Sequence, residues 1–188
     1  MNFFKKLFGK KQQEPLSVNE DVFPEAGRLL SGGDESVVRQ IGYYVEHSEE
    51  YLARQDAHYR GLSNDTTKYD ICLFAMIDAL IEHDYMREFD WKEDQDDILH
   101  GLRVIAKKLG VSFDIEMDLG FLDDGEDAEC LEPERVFTLV AVYISNFRYD
   151  LVCIDINSDS YVMGLLPHKD HQRCEAMLHD MDIKLYSF

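Results

Sequence analysis

Cysteine, basic residues and long apolar runs are all scarce in this chain, and each scarcity removes a class of protein. The four cysteines, Cys72, Cys130, Cys153 and Cys174, form no CxxC pair and no close framework. They suit neither a zinc knuckle nor a disulfide-stapled secreted domain, and read as reduced cytosolic thiols. Lysine and arginine number 19 against 38 aspartates and glutamates, a formal net charge of −19. Lys5, Lys6, Lys10 and Lys11 fall within residues 1–11, so the remainder is more acidic still and no nucleic-acid partner is expected. No apolar run nears the about eighteen residues that cross a bilayer. Lys5 and Lys6 interrupt the apolar start, with no apolar stretch of about seven residues behind them, which is not the build of an export signal. Also missing are GxxxxGK[ST], GxGxxG after a strand, GxSxG and HExxH, so no catalytic residue is assigned.

What is present suffices for one folded domain. Of 188 residues, 45% are apolar and 12% aromatic, enough for a core without staples. Residues 1–33 are expected to be a basic amphipathic leader followed by a polar linker, with a single α+β domain at 34–188. In the leader, Phe3, Phe4, Leu7 and Phe8 take one side of a short helix and Lys5 and Lys6 the other. Those six residues are a candidate contact for an anionic membrane surface through residues 1–11, although about two turns of helix are marginal alone. The linker from Gln12 holds Pro15, Pro24, Gly32 and Gly33 and shows no sustained period.

Beyond it, Asp34 caps a helix expected over about 35–55, with Val37, Val38, Ile41, Tyr44, Val45 and Leu52 at helical spacing. Thr67 and Asp70 fit a capping box ahead of Ile71, Leu73, Phe74, Ile77, Leu80 and Ile81, the best core helix of the chain. Tyr85 to Trp91 alternates as a strand. Acids at Asp94, Asp96 and Asp97, an apolar face from Ile98 to Leu109, and a basic end at Lys107, Lys108 and Gly110 predict a helix over 94–109. Ser112 to Glu116 is a short strand candidate. Val111 to Glu134 holds ten carboxylates and no lysine or arginine, the pattern of an exposed acidic loop. Residues 136–144 are β-branched enough for a buried strand, but Pro133 and Glu134 suit a helix start, and a helix to Asn146 is preferred. A hairpin from Leu151 to Leu166, a helix over 168–181 and a strand at Ile183 to Phe188 follow. The order predicts an α+β fold: a mostly antiparallel sheet of four to five strands with helices packed on one face, preceded by N-terminal helices.

Three constellations invite a chemical reading. Asp155-Ile156-Asn157-Ser158-Asp159-Ser160 alternates oxygen ligands like half a calcium loop, yet Ser160 replaces the turn glycine and Leu166 the bidentate glutamate. These are also ordinary turn formers, and the turn reading is preferred. His168, His171 and Cys174, or His171, Glu175 and His179, lie near one side of a helix, but one helix rarely closes a coordination sphere, so no metal or cofactor is assigned. Trp91, the only tryptophan, precedes Glu93, Asp94, Asp96 and Asp97. Either it plugs the strand-to-helix corner while the acids face the helix dipole, or it anchors an acidic recognition edge. In the second reading the edge extends over Asp123, Asp124, Glu126, Asp127 and Glu129 and meets a basic protein partner.

Cys72 to Trp91, with Asp78-Ala79-Leu80 and Glu82-His83-Asp84-Tyr85, then Trp91-Lys92-Glu93-Asp94, then Asp155 to Tyr161, together resemble an uncharacterised bacterial domain family. The resemblance covers about residues 65–188 and implies no activity. The expectation is therefore a cytoplasmic, non-catalytic acidic binding protein, immunity- or antitoxin-like, that covers a basic surface. One alternative is a regulator resting on the inner membrane face through the Phe/Lys leader. A further alternative is a metal-dependent enzyme built on Asp155, Asp159 and the nearby histidines.

Overall fold

The structure, a computed structural model, describes residues 20–54, 57, 60–63, 65–111 and 132–188. Among them are helices α1 (Val22–Leu30), α2 (Glu35–Glu46), α3 (Ser48–Leu52), α4 (Lys68–Glu82), α5 (Gln95–Lys108), α6 (Pro133–Ser145) and α7 (His168–His179). The strands are β1 (Met86–Asp90), β2 (Tyr149–Ile154), β3 (Ser160–Pro167) and β4 (Leu185–Ser187). They form one antiparallel sheet in the order β1-β3-β2-β4. The α+β class, the antiparallel sheet and the leading helices are as expected. The strand candidate at 112–116 and the acidic segment from Ser112 to Leu131 lie outside the described residues.

Helices cover both faces of the sheet, which corrects the expectation of one covered face. The reason lies in the hairpin itself. Leu151, Cys153, Met163 and Leu165 enter one core with Phe89, α5 and α6, while Val152, Ile154, Val162 and Leu166 enter the other with Met86, α1, α2, α4 and α7. A strand apolar at successive positions must be buried on both sides. On the second face α4 is buried at every residue from Ile71 to Leu80, which a helix tolerates only when packed all round. The sheet and α1 to α3 supply that packing. On the first face Phe137, fully buried, meets the rings of Phe89, Tyr161 and Phe188 at 5.9, 5.2 and 5.4 Å.

The domain also begins earlier than residue 34. Val22–Leu30, expected to be linker, is a helix whose Phe23, Ala26 and Leu30 are buried in the main core. Pro24 is tolerated because it falls in the first turn, where no intrahelical partner is lost. Gly32 and Gly33 do not belong to a linker but end the helix: Gly32 adopts φ 63°, and the Gly33 N–H donates to the Arg28 carbonyl at 2.8 Å, a Schellman closure. The same closure ends α5 at Gly110 as expected, with Val111 N–H to Ala106 O at 2.8 Å. The helix expected over 35–55 is broken at His47 into α2 and α3. Thr67 caps α4 by accepting from Asp70 N–H, and the preferred helix at α6 is present, started by Pro133.

A buried ionic knot holds the segment between α3 and α4. Asp78, 8% exposed, accepts from the Tyr51 hydroxyl at 2.5 Å and from Arg60 Nε and Nη2 at 2.8 and 2.5 Å. Arg60 reaches on to Glu88 of β1 at 3.1 Å and lies over the Phe74 ring. No fully buried side-chain polar atom of this knot is left without a partner, the condition under which buried charge is tolerated.

Two outcomes test this description. A Cβ at Gly27 would lie well inside contact distance of Ile41 Cδ1, so that methyl, fully buried in the core, would have to move to make room. Gly27→Ala is expected to cost about 1–3 kcal/mol by urea unfolding, and Ile41→Val, which removes that methyl, to recover part of it in the double variant. A true linker would show neither effect. At the start of α2, Asp34 accepts from Ser36 Oγ at 2.5 Å, Ser36 N–H at 2.9 Å and the Tyr85 hydroxyl at 2.9 Å. Those bonds, Ser36's first, and the nearby Lys108 charge hold its carboxyl down at about 2. The unfolded value is about 3.9, so the contribution is complete above pH 4 and is lost as pH falls toward 2. Asp34→Asn keeps a capping acceptor and is expected to flatten that part of the stability-versus-pH curve, and Asp34→Ala to cost about 1 kcal/mol at neutral pH.

Candidate functional site

Strand β1 ends because its next residues close a turn on themselves. Asp90 Oδ1 accepts from Lys92 N–H at 2.8 Å, and Glu93 Oε2 accepts from Asp90 N–H at 3.2 Å. Asp94 then caps α5 by accepting from Asp97 N–H at 2.9 Å, as its position before the apolar run predicts. This tight reversal lifts Trp91 off the sheet. Its side chain is 48% exposed, with Lys92 Nζ 4.4 Å from the ring centroid, so it does not plug the corner.

The acids around it divide into two kinds. Asp90, Glu93 and Asp94 are committed to backbone N–H groups. The carboxylates of Asp96 and Asp97, both exposed in the first turn of α5, have no hydrogen bond or ion pair to any described residue. The first three shape the turn and the helix start, and the other two are held by no described residue.

Sheet register gathers more acid at this end. Asp90 pairs with Ser160, the first residue of β3, so the β2–β3 loop with Asp155 and Asp159 lies at the same end as Trp91. Asp155 is spent locally, on Asn157 N–H at 2.8 Å and the Tyr186 hydroxyl at 3.2 Å, which supports the turn reading of this segment. Asp159 is exposed. The start of α6 arrives here too: Glu134 Oε1 accepts from the Tyr161 hydroxyl at 2.6 Å. Burial first, then that bond and the charges of Glu134 and Glu132, push the Tyr161 hydroxyl up to about 12. The start of α6 therefore lies at the same end of the sheet as Trp91. Asp123, Asp124, Glu126, Asp127 and Glu129 themselves lie outside the described residues, as do Phe3, Phe4, Lys5, Lys6, Leu7 and Phe8.

The metal readings fare differently. Asp155 and Asp159 stand before β3 and His168 and His171 after it, so the length of the strand, roughly 23 Å, separates them and no shared centre is formed. Both histidines instead meet Asp150: His168 Nε2 lies 3.1 Å from Oδ1 and His171 Nδ1 2.6 Å from Oδ2. Cys174 turns the other way, into the main core. Among the described residues no three His, Cys, Asp or Glu side chains converge as a metal site. Burial pushes the thiols of Cys72 and Cys153 up to about 11 and that of Cys174 up to about 12, which removes thiolate chemistry at neutral pH. No helix among the described residues is long and apolar enough to cross a membrane.

The Asp150 junction was not visible in sequence, because the histidines' partner comes from another strand. Nor did the residue order show which acids beside Trp91 are spent on backbone.

No curated protein and no solved structure matches the chain. A family model described as a domain of unknown function (DUF6630) matches residues 23–188. That span starts at the buried Phe23 of α1, so the family includes the N-terminal helices that the resemblance over 65–188 had left out. The chain belongs to the DUF6630 family.

Proposed function

We propose that this protein is a binding module that presents the acidic end of its sheet to a basic protein partner, with Trp91 as the anchor. The observation that carries the reading is the exposed indole of Trp91 beside carboxylates that no described residue uses, Asp96 and Asp97. An exposed tryptophan supplies a large rigid contact area, and uncommitted carboxylates can pair with lysine or arginine without first breaking an internal bond. The net charge of −19 adds long-range steering toward a cationic surface. An immunity- or antitoxin-like role fits this chemistry, because such proteins neutralise a basic target by covering it, and it needs no catalytic group on this chain. The cytoplasm suits the three buried cysteines, which are free thiols.

Affinity purification of the full chain from its native host, at low salt, is the test. A basic protein is expected to be recovered in stoichiometric amount and to elute at about 0.5 M salt, where the Debye length is roughly 4 Å. Trp91→Ala is expected to weaken its binding by a factor of about 30, the loss typical of an interface anchor. Asp96→Lys with Asp97→Lys is expected to slow association most strongly at low salt. A partner recovered equally by both variants contradicts the reading.

A further inference from the structure

The opposite end of the sheet has the reverse chemistry. Where β3 ends and β2 begins, a cleft of about 840 Å³ opens between the loop after α1, the turn before β2 and the start of α7. In a chain with two acids for every base, its lining includes Arg28, Arg148 and Lys169 against one acid, Asp170. Arg28 is held by Glu25 and Glu35 and serves as wall. Arg148 is different: its guanidinium makes no hydrogen bond, ion pair or ring contact to any described residue. Lys169 is 83% exposed, and among the described residues only Asp170, 4.0 Å away, pairs with its ammonium.

The cleft is also built to keep its shape. The His168 N–H donates to the Arg148 carbonyl at 3.0 Å, tying the first turn of α7 to the backbone of the cation beside it. The Tyr149 carbonyl, 3.0 Å from His168 Nε2, and Asp150, 2.6 Å from His171 Nδ1, fasten that turn to β2. No side chain caps the first turn of α7. Gly32 and Gly33, at φ 63° and 92°, leave one wall as bare backbone, and a Cβ at Gly33 would meet nothing within 4 Å. The remaining wall is aromatic and apolar, with Leu29, with Phe147, 37% exposed and tilted against Tyr143 at 5.5 Å, and with Tyr149, partly buried against the α5–α6 core.

We infer that this cleft binds a small phosphorylated ligand with an aromatic ring system, of the nucleotide class. Arg148 and Lys169 meet the phosphate groups, and Phe147 and Tyr149 offer rings to the base. Cations beside aromatic side chains are the combination such a ligand requires, since a phosphate alone would have no use for the rings. The volume is within the range of small-molecule sites. The net negative charge of the molecule does not forbid this, because at physiological salt it is screened beyond about 8 Å while Arg148 and Lys169 act in contact. The acidic end near Ser160 lies roughly 23 Å away along β3, so this site is separate from the protein-binding surface proposed above.

Titration calorimetry of the full chain with adenosine diphosphate and, separately, pyrophosphate tests the assignment at physiological salt without divalent cations. Adenosine diphosphate is expected to saturate with a Kd below about 1 mM and to bind at least roughly ten-fold tighter than pyrophosphate. Arg148→Gly combined with Lys169→Ala is expected to weaken it about ten-fold or more. Glycine suits the Arg148 backbone, at φ 62°, so this variant removes charge without straining the turn. Lys169→Glu, at an exposed position, gives a second variant expected to fold normally and to bind more weakly. Absence of saturable heat with adenosine diphosphate, equal affinity for pyrophosphate, or undiminished binding in these variants overturns the inference.

Discussion

Leu151, Val152, Cys153 and Ile154 on β2 lie against Leu165, Gly164, Met163 and Val162 on β3, and this paired segment is buried on both faces. The rest of the structure answers to that burial. One side needs α5 and α6, the other needs α1, α4 and α7 beneath α2 and α3. Removing water from apolar surface at roughly 25 cal/mol per Å² drives both coverings, and the two cores leave little room for charge in the middle of the sheet. Arg60, Asp78 and Glu88 are admitted only as a paired knot. Most remaining charge goes to solvent and to the ends of the strands. There the register sorts it: Asp90, Asp96, Asp97 and Asp159 toward the start of β3, Arg148 and Lys169 toward its end.

Much of this architecture is legible in the sequence. Where a periodic apolar face and terminal chemistry agree, as in α4 and α5, residue order identifies the helix and its caps. In α6 the spacing of Val136, Phe137, Val140, Ala141 and Ile144 overrides β-branched propensity, because burial of a continuous face outweighs tenths of a kilocalorie per residue. α1 escapes notice for the opposite reason: it is only nine residues long, with Pro24 and Gly27 inside it, and its helical spacing becomes persuasive only against Ile41. The hairpin's second buried face does have a signal, the unbroken apolar run Leu151 to Ile154, which an alternating, half-exposed strand would not show.

The candidate surfaces were partly legible. Trp91 with its following acids stands out by residue type. The division of those acids into turn-formers and uncommitted carboxylates depends on bonds that only the folded β1–α5 turn creates. The cleft at the other end has no linear signature at all, since Arg28 and Arg148 lie far apart in the chain and line one cleft only because α1 packs beside α7 and β3. Local chemistry can be read from neighbours in the chain, whereas a site assembled by topology cannot.

An exposed Trp91 at the acidic end of the sheet is the central claim, and the chain's single tryptophan allows it to be observed directly. The measurement is collisional quenching of its fluorescence by acrylamide, iodide and caesium at low ionic strength. The account predicts red-shifted emission, ready quenching by neutral acrylamide, and iodide quenching that is weak in low salt and rises as added salt screens the carboxylates. Blue-shifted emission resistant to acrylamide, or iodide quenching as efficient at low salt as at high, would contradict it.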